Sequence, residues 1–246
     1  MSIPELLIFP DPQALAEASV NLFIRLSDRA IKSRGYFCAA LSGGSTPRAT
    51  YTLLASKGYS SQVHWPAVHL FWGDERCVPP NHPDSDFRMA KEALLDDVPI
   101  PPGNIHRIQG ELDPVLAASS YEKELRAFFG TTLPRIDLIF LGLGEDGHTA
   151  SLFPGSAAIH EQVSWVMSVE HQQPPPPLVP RVTLTPPVLN AAAAVAFLVT
   201  GSAKAERVEQ ILHRPLQPEV LPAQVVQPTN GDLFWFLDHD AARYLR

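Results

Sequence analysis

Cysteine is scarce in this chain: Cys38 and Cys77 are the only two in 246 residues. Two thiols are too few for a disulfide scaffold or a cysteine-based zinc site, so a reducing compartment is expected. No apolar run approaches the ~20 residues a membrane span requires. The opening MSIPELLIFPDP has no basic stretch ahead of an apolar core and does not read as a signal peptide. Positive charge is also short. Nineteen Lys and Arg stand against 26 Asp and Glu, a net charge of −7, and nucleic-acid binding normally needs a basic face. The expectation is a cytoplasmic protein with no membrane or nucleic-acid partner, and the sequence assigns it no protein partner. An anionic ligand would have to be held by a local group of cations working against the net field. The first strand-to-helix turn is SGGSTP and not the GxGxxG dinucleotide fingerprint, nothing matches GxxxxGK[ST], and no GxSxG nucleophile elbow is present. His64, His69, His82 and His106 lack metal-ligand spacing, so neither a metal nor a cofactor is expected.

What is present alternates between strands and helices. Asp11-Pro12 opens a helix along Leu15, Ala18, Leu22, Leu26 and Ala30 that Gly35 should stop. Strands are expected at 36–41, 68–72, 105–108, 136–141, 165–169, 181–185, 194–200 and 233–237. Between them lie a helix capped by Thr46 ahead of Pro47 and helices opened by Ser85, Asp113, Thr185 and Gly201. A last helix should follow residue 237. The 25 prolines are spread over element boundaries. The run HQQPPPPLVP, 171–180, reads as a stiff surface loop, because the same pattern continues on both sides of it. One domain spanning 1–246 is expected, an α/β fold with a doubly wound, mainly parallel sheet and helices on both faces.

Polar residues collect just beyond strand ends, where open α/β sheets bind ligands. Residues 136–141 run into GLGEDGH, which crowds Glu145, Asp146 and His148 together. His148 has the unperturbed pKa suited to general-base work near neutrality, and Asp146 or Glu145 could orient its ring. SGGSTP gathers the backbone N–H groups of Gly43, Gly44, Ser45 and Thr46 at a helix start, a seat for phosphate or an oxyanion. Asp74, Glu75 and Arg76 follow the strand at 68–72. Arg76, Arg181 and Lys204 suit a phosphate monoester. Taken singly, each string also reads as an ordinary turn or solvated charge run, so the case rests on their convergence.

LSGGSTP, WGDERCVP, GLGEDGHTASLFPG, PRVTLT and GSAKA, in that order, resemble the 6-phosphogluconolactonase family. That family resembles glucosamine-6-phosphate deaminases, whose fold is therefore implied. The resemblance further implies hydrolysis of 6-phosphoglucono-δ-lactone to 6-phosphogluconate, in the second step of the oxidative pentose phosphate pathway, without a metal. Carried over, His148 activates water with Asp146 beside it. Arg76, Arg181 and Lys204 hold phosphate or polarise the lactone, with Gly43, Gly44, Ser45, Thr46 and Asp74 lining the substrate. Asp86 departs from the pattern, which has a neutral amide there. A sugar-phosphate isomerase or deaminase and a non-catalytic sugar-phosphate sensor are the rival readings.

Overall fold

The computed structural model describes residues 4–172 and 174–245. The first three residues of the stretch read as lacking a signal peptide, Gln173 of the proline loop, and Arg246 lie outside the described residues. In chain order the elements are β1 (Glu5–Phe9), α1 (Pro12–Arg34), β2 (Phe37–Leu41), α2 (Ser45–Ala55), α3 (Lys57–Ser60), β3 (Val68–Trp72), β4 (Asp74–Arg76), α4 (Asp86–Ala90), α5 (Pro114–Phe129), β5 (Leu138–Leu141), β6 (Val166–Val169), β7 (Arg181–Leu184), α6 (Pro186–Ala191), β8 (Ala194–Val199), α7 (Ala205–His213) and β9 (Asp232–Asp238).

Six strands form one sheet in the order β1-β9-β8-β5-β2-β3, with every pairing parallel. Every residue of β2, β5 and β8 is buried, as expected of strands covered by helices on both faces. From β2 the chain proceeds outward to β3, whereas β5 sits on the other side of β2 and leads to β8 and β9. The strand order therefore reverses between β2 and β5. A crevice opens beyond the C-terminal ends of strands at such a reversal, where the loops at 42–44 and 142–148 emerge. Among the described residues no helix is long and apolar enough to cross a membrane.

Helix caps follow the sequence closely. Asp11 accepts from Ala14 N at 2.8 Å, and Gly35 ends α1 with φ 89°. Asp113 caps α5 and Ser85 caps α4. Asp137, the one polar residue in the 136–141 run, accepts from Cys38 N at 2.8 Å and pairs with Arg34, so it fastens β5 to the end of α1.

Several expectations are corrected. β1 was not foreseen; it is a parallel edge strand beside β9. Asp74–Arg76 is not a plain loop but a strand in a second, antiparallel sheet, β4-β7-β6. Residues 105–108 make one bridge, Leu70 to Ile105, rather than a strand. α2 starts at Ser45 on Gly44, so Thr46 is no cap; its hydroxyl instead meets that of Thr200 at 2.7 Å. Turns, not a helix, follow β9 among the described residues.

Two buried tyrosines hold strand ends. Tyr51 Oη accepts from Ser42 N at 2.9 Å and donates to Ser42 O at 3.1 Å, and Tyr121 repeats the pattern on Trp72. Burial pushes both phenols up in pKa, which keeps them neutral donors. Tyr51→Phe leaves a buried amide without its acceptor and should cost about 1–3 kcal/mol in urea unfolding. A loss of only a few tenths would mean that Ser42 finds another partner.

Candidate active site

The crevice at the reversal point is a cleft of about 680 Å³. Ser42 to Pro47, Asp74, Arg76, Asp86, Gly142 to Asp146, His148, Phe153, Pro174 to Pro176, Arg181, Lys204 and Arg207 are among the residues lining it. Of the polar residues that the sequence gathers beyond strand ends, all but the buried Glu75 line this cleft.

The loop after β5 folds on itself. Gly144 N donates to His148 O at 2.8 Å, and Gly147 N to Gly144 O at 3.1 Å. Asp146 Oδ1 accepts from His148 N at 3.1 Å and lies 2.5 Å from His148 Nδ1. A carboxylate only accepts, so Nδ1 carries the proton of this contact. Burial works to raise the Asp146 pKa, but hydrogen bonding and proximity to His148 outweigh it and hold the carboxyl below its usual range. Glu145 points elsewhere: it is mostly exposed and lies 3.7 Å from Lys204 Nζ. Of the two acids considered for orienting His148, Asp146 makes the contact. Phe153 packs on the imidazole with centroids 4.6 Å apart.

Across the cleft, β4 is held by a buried carboxylate. Glu75 accepts from Arg76 N, Asp86 N, Phe87 N and Ser85 Oγ at 2.7–3.0 Å. Asp74 accepts from Ser151 Oγ at 2.6 Å. Arg76 Nη1 lies 2.7 Å from Asp86 Oδ1 and donates to Asp84 O at 2.8 Å. Asp86 is buried against Gly43, where any side chain would overlap its carboxyl. Desolvation, reinforced by Glu75 and Asp74, raises the Asp86 pKa well above the usual value despite Arg76. Arg181 is only 4% exposed, and burial, followed by repulsion from Arg76, lowers its pKa. Among the described residues, Nε of both arginines is buried without a hydrogen-bond partner, a donor left for a ligand oxygen. The N–H groups of Ser45 and Thr46, in the first turn of α2, have no acceptor within their helix.

The family described as glucosamine-6-phosphate isomerases/6-phosphogluconolactonase matches residues 10–235. The chain belongs to this family. A 6-phosphogluconolactonase of Synechocystis sp. is 40% identical, over 99% of each chain. The solved structure of 6-phosphogluconolactonase from Trypanosoma brucei is 30% identical, with a TM-score of 0.90 over 100% of both chains. A monomeric glucosamine-6-phosphate deaminase shares the fold at TM-score 0.80 and 19% identity, covering 98% of this chain and 100% of its own. Within the family, the chain sits on the lactonase branch.

Some residues of this cleft escaped sequence reasoning. Arg207 donates from Nε to Glu145 O at 2.8 Å and so braces the loop that carries His148. Its signal was its place three residues after Lys204, on the same side of a helix start. Phe153 and the prolines at 174–176 were not read as cleft walls either. A larger groove of about 880 Å³ lies around Arg34 and Asp137, with no histidine among its described lining residues.

Gly144 is needed for close approach, since a methyl group on its Cα would overlap the His148 ring. Gly144→Ala should therefore shift the His148 imidazole resonances, while Gly103→Ala, which faces open space, should leave them in place. Unchanged resonances in both variants would contradict the packing described here.

Proposed function

We propose that this protein hydrolyses 6-phosphoglucono-δ-lactone to 6-phosphogluconate, with His148 as general base. One observation carries the reading: the Asp146–His148 pair shares a cleft with Arg76, Arg181, Lys204 and the start of α2. The proton that Nδ1 donates to Asp146 leaves Nε2 free to take one from water. The water oxygen attacks the lactone carbonyl and an oxyanion forms. Backbone N–H groups at Ser45 and Thr46, or an arginine Nε, supply the preorganised donors it requires. The ring C–O bond then breaks, and His148 returns its proton to the departing oxygen. The product acid ionises and releases one proton per turnover near neutral pH.

The phosphate serves as the handle. Arg181 and Lys204 are the better anchors, because Arg76 is paired with the buried Asp86 carboxyl, whereas Arg181 meets only the Pro177 carbonyl and Lys204 only the exposed Glu145 among the described residues. Asp74 and the Gly43–Gly44 turn stand along the substrate's remaining length. Binding the phosphate turns an encounter into positioned attack, which suits a reaction whose spontaneous rate is already appreciable.

His148→Asn should lower kcat by about 10² or more with folding intact. Activity within a few-fold of the parent would remove His148 from the role. Arg181→Ala and Lys204→Ala should chiefly raise KM, by roughly 1.5–3 kcal/mol of lost charge-assisted hydrogen bonding, and should blunt inhibition by inorganic phosphate. Equal inhibition of parent and variants would show that the anchor lies elsewhere. A pH-stat trace on the lactone, run beside an ammonia and ketose assay on glucosamine 6-phosphate, tests the reaction class. Acid production above the spontaneous rate supports hydrolysis; ammonia release without it overturns the proposal, and silence in both points to a sensor.

A further inference from the structure

The connection from β6 to β7 is long for an antiparallel pair, running from Glu170 to Pro180, and loops of that length in compact folds usually serve a site. Among the described residues it is fastened at three places. His171 Nε2 lies 2.6 Å from Pro175 O, Arg181 Nη2 donates to Pro177 O at 2.9 Å, and Cys77 N donates to Pro180 O at 2.8 Å. Pro174, Pro175 and Pro176 form part of the cleft wall. His171 is buried and stacks on Phe153, with centroids 4.0 Å apart and planes at 16°. Phe153 in turn packs on His148. One column of rings thus links the proline strap to the candidate base.

Resting on the lactonase reading above, we propose that His171 is a positioning residue: its hydrogen bond to Pro175 sets the proline strap as the wall against which the substrate ring lies. A carbonyl only accepts, so His171 Nε2 carries the proton. Burial first, then Arg181 and His148, push the His171 pKa below its usual value against the opposing pull of the Pro175 carbonyl, so the ring is neutral at neutral pH. Proline has no N–H, and the carbonyls of Pro175 and Pro177 are taken up by His171 and Arg181. Pro174, Pro175 and Pro176 therefore present ring methylenes and no backbone hydrogen-bond donor to the cleft. A wall of that kind holds a closed sugar ring by contact and offers water no hydrogen-bond donor beside the reacting carbon.

Three variants separate positioning from simple packing. His171→Phe keeps the stack and loses the hydrogen bond, His171→Gln keeps a donor and loses the stack, and His171→Ala loses both. With lactone as substrate, KM should rise about tenfold or more in the Ala and Phe variants, with kcat within about threefold of the parent. The Gln variant should recover most of the loss. Thermal midpoints are measured alongside. If all three variants match the parent, or if activity falls only in step with the midpoint, the inference is overturned. Nitrogen NMR of the imidazole keeps this test separate from the reaction assignment. A protonated Nε2 on His171 is expected in the parent protein whatever its substrate, and an Nδ1-protonated ring would overturn the strap tie. An inactive parent would instead count against the lactonase reading.

Discussion

The hydrogen bond from His148 Nδ1 to Asp146 is the contact on which the rest of the cleft depends. It decides which nitrogen carries the proton, and hence which is available as a base. Holding two side chains only two residues apart in this geometry requires a tight loop. The loop gets its shape from the close approach at Gly144, the Gly144–His148 backbone bond and the brace from Arg207. β5 delivers that loop to the crevice, and β5 sits at the centre of the sheet because all of its residues are apolar and buried.

Around this pair the protein gathers charge at some cost to itself. Arg76, Arg181, Asp74, Glu75 and Asp86 are largely withdrawn from water, and such burial is tolerated only where nearly every polar atom is matched. Glu75 is matched fourfold and Asp74 by Ser151, while each buried arginine keeps one unmatched Nε. Asp86 holds Arg76, and the Pro177 carbonyl holds Arg181, in fixed positions. An anion entering the cleft would therefore meet oriented donors without having to organise them. A chain of net charge −7 thus still presents local cations to this cleft.

Much of this was legible in the sequence because it rests on short-range chemistry. Asp11-Pro12, Gly35 and Asp113-Pro114 mark helix ends through their own backbone preferences, and apolar runs mark buried strands. The convergence of SGGSTP, GDER and GEDGH also followed from a general rule about where parallel sheets open. What escaped depends on partners distant in the chain. β1 is only half buried, and its strand character comes from pairing with β9, more than 220 residues later. Asp74–Arg76 reads as a charge run until β7 pairs with it. Thr46 looks like a cap by type, yet Gly44, at φ 105°, takes that position because the turn needs a left-handed residue. Asp86 looked like an unexplained departure from the family pattern, and Arg76 accounts for it only in three dimensions.

The central claim is that Asp146 keeps the His148 proton on Nδ1 so that Nε2 acts as the base. Asp146→Asn tests it most directly, because the amide keeps the size of the side chain while replacing an obligate acceptor with a group that can also donate. Steady-state hydrolysis of fresh lactone, corrected for the spontaneous rate, should show kcat reduced by about 10² or more with KM nearly unchanged and the fold intact. Turnover within a few-fold of the parent would contradict the account, since the pairing of Asp146 with His148 would then have no part in the reaction.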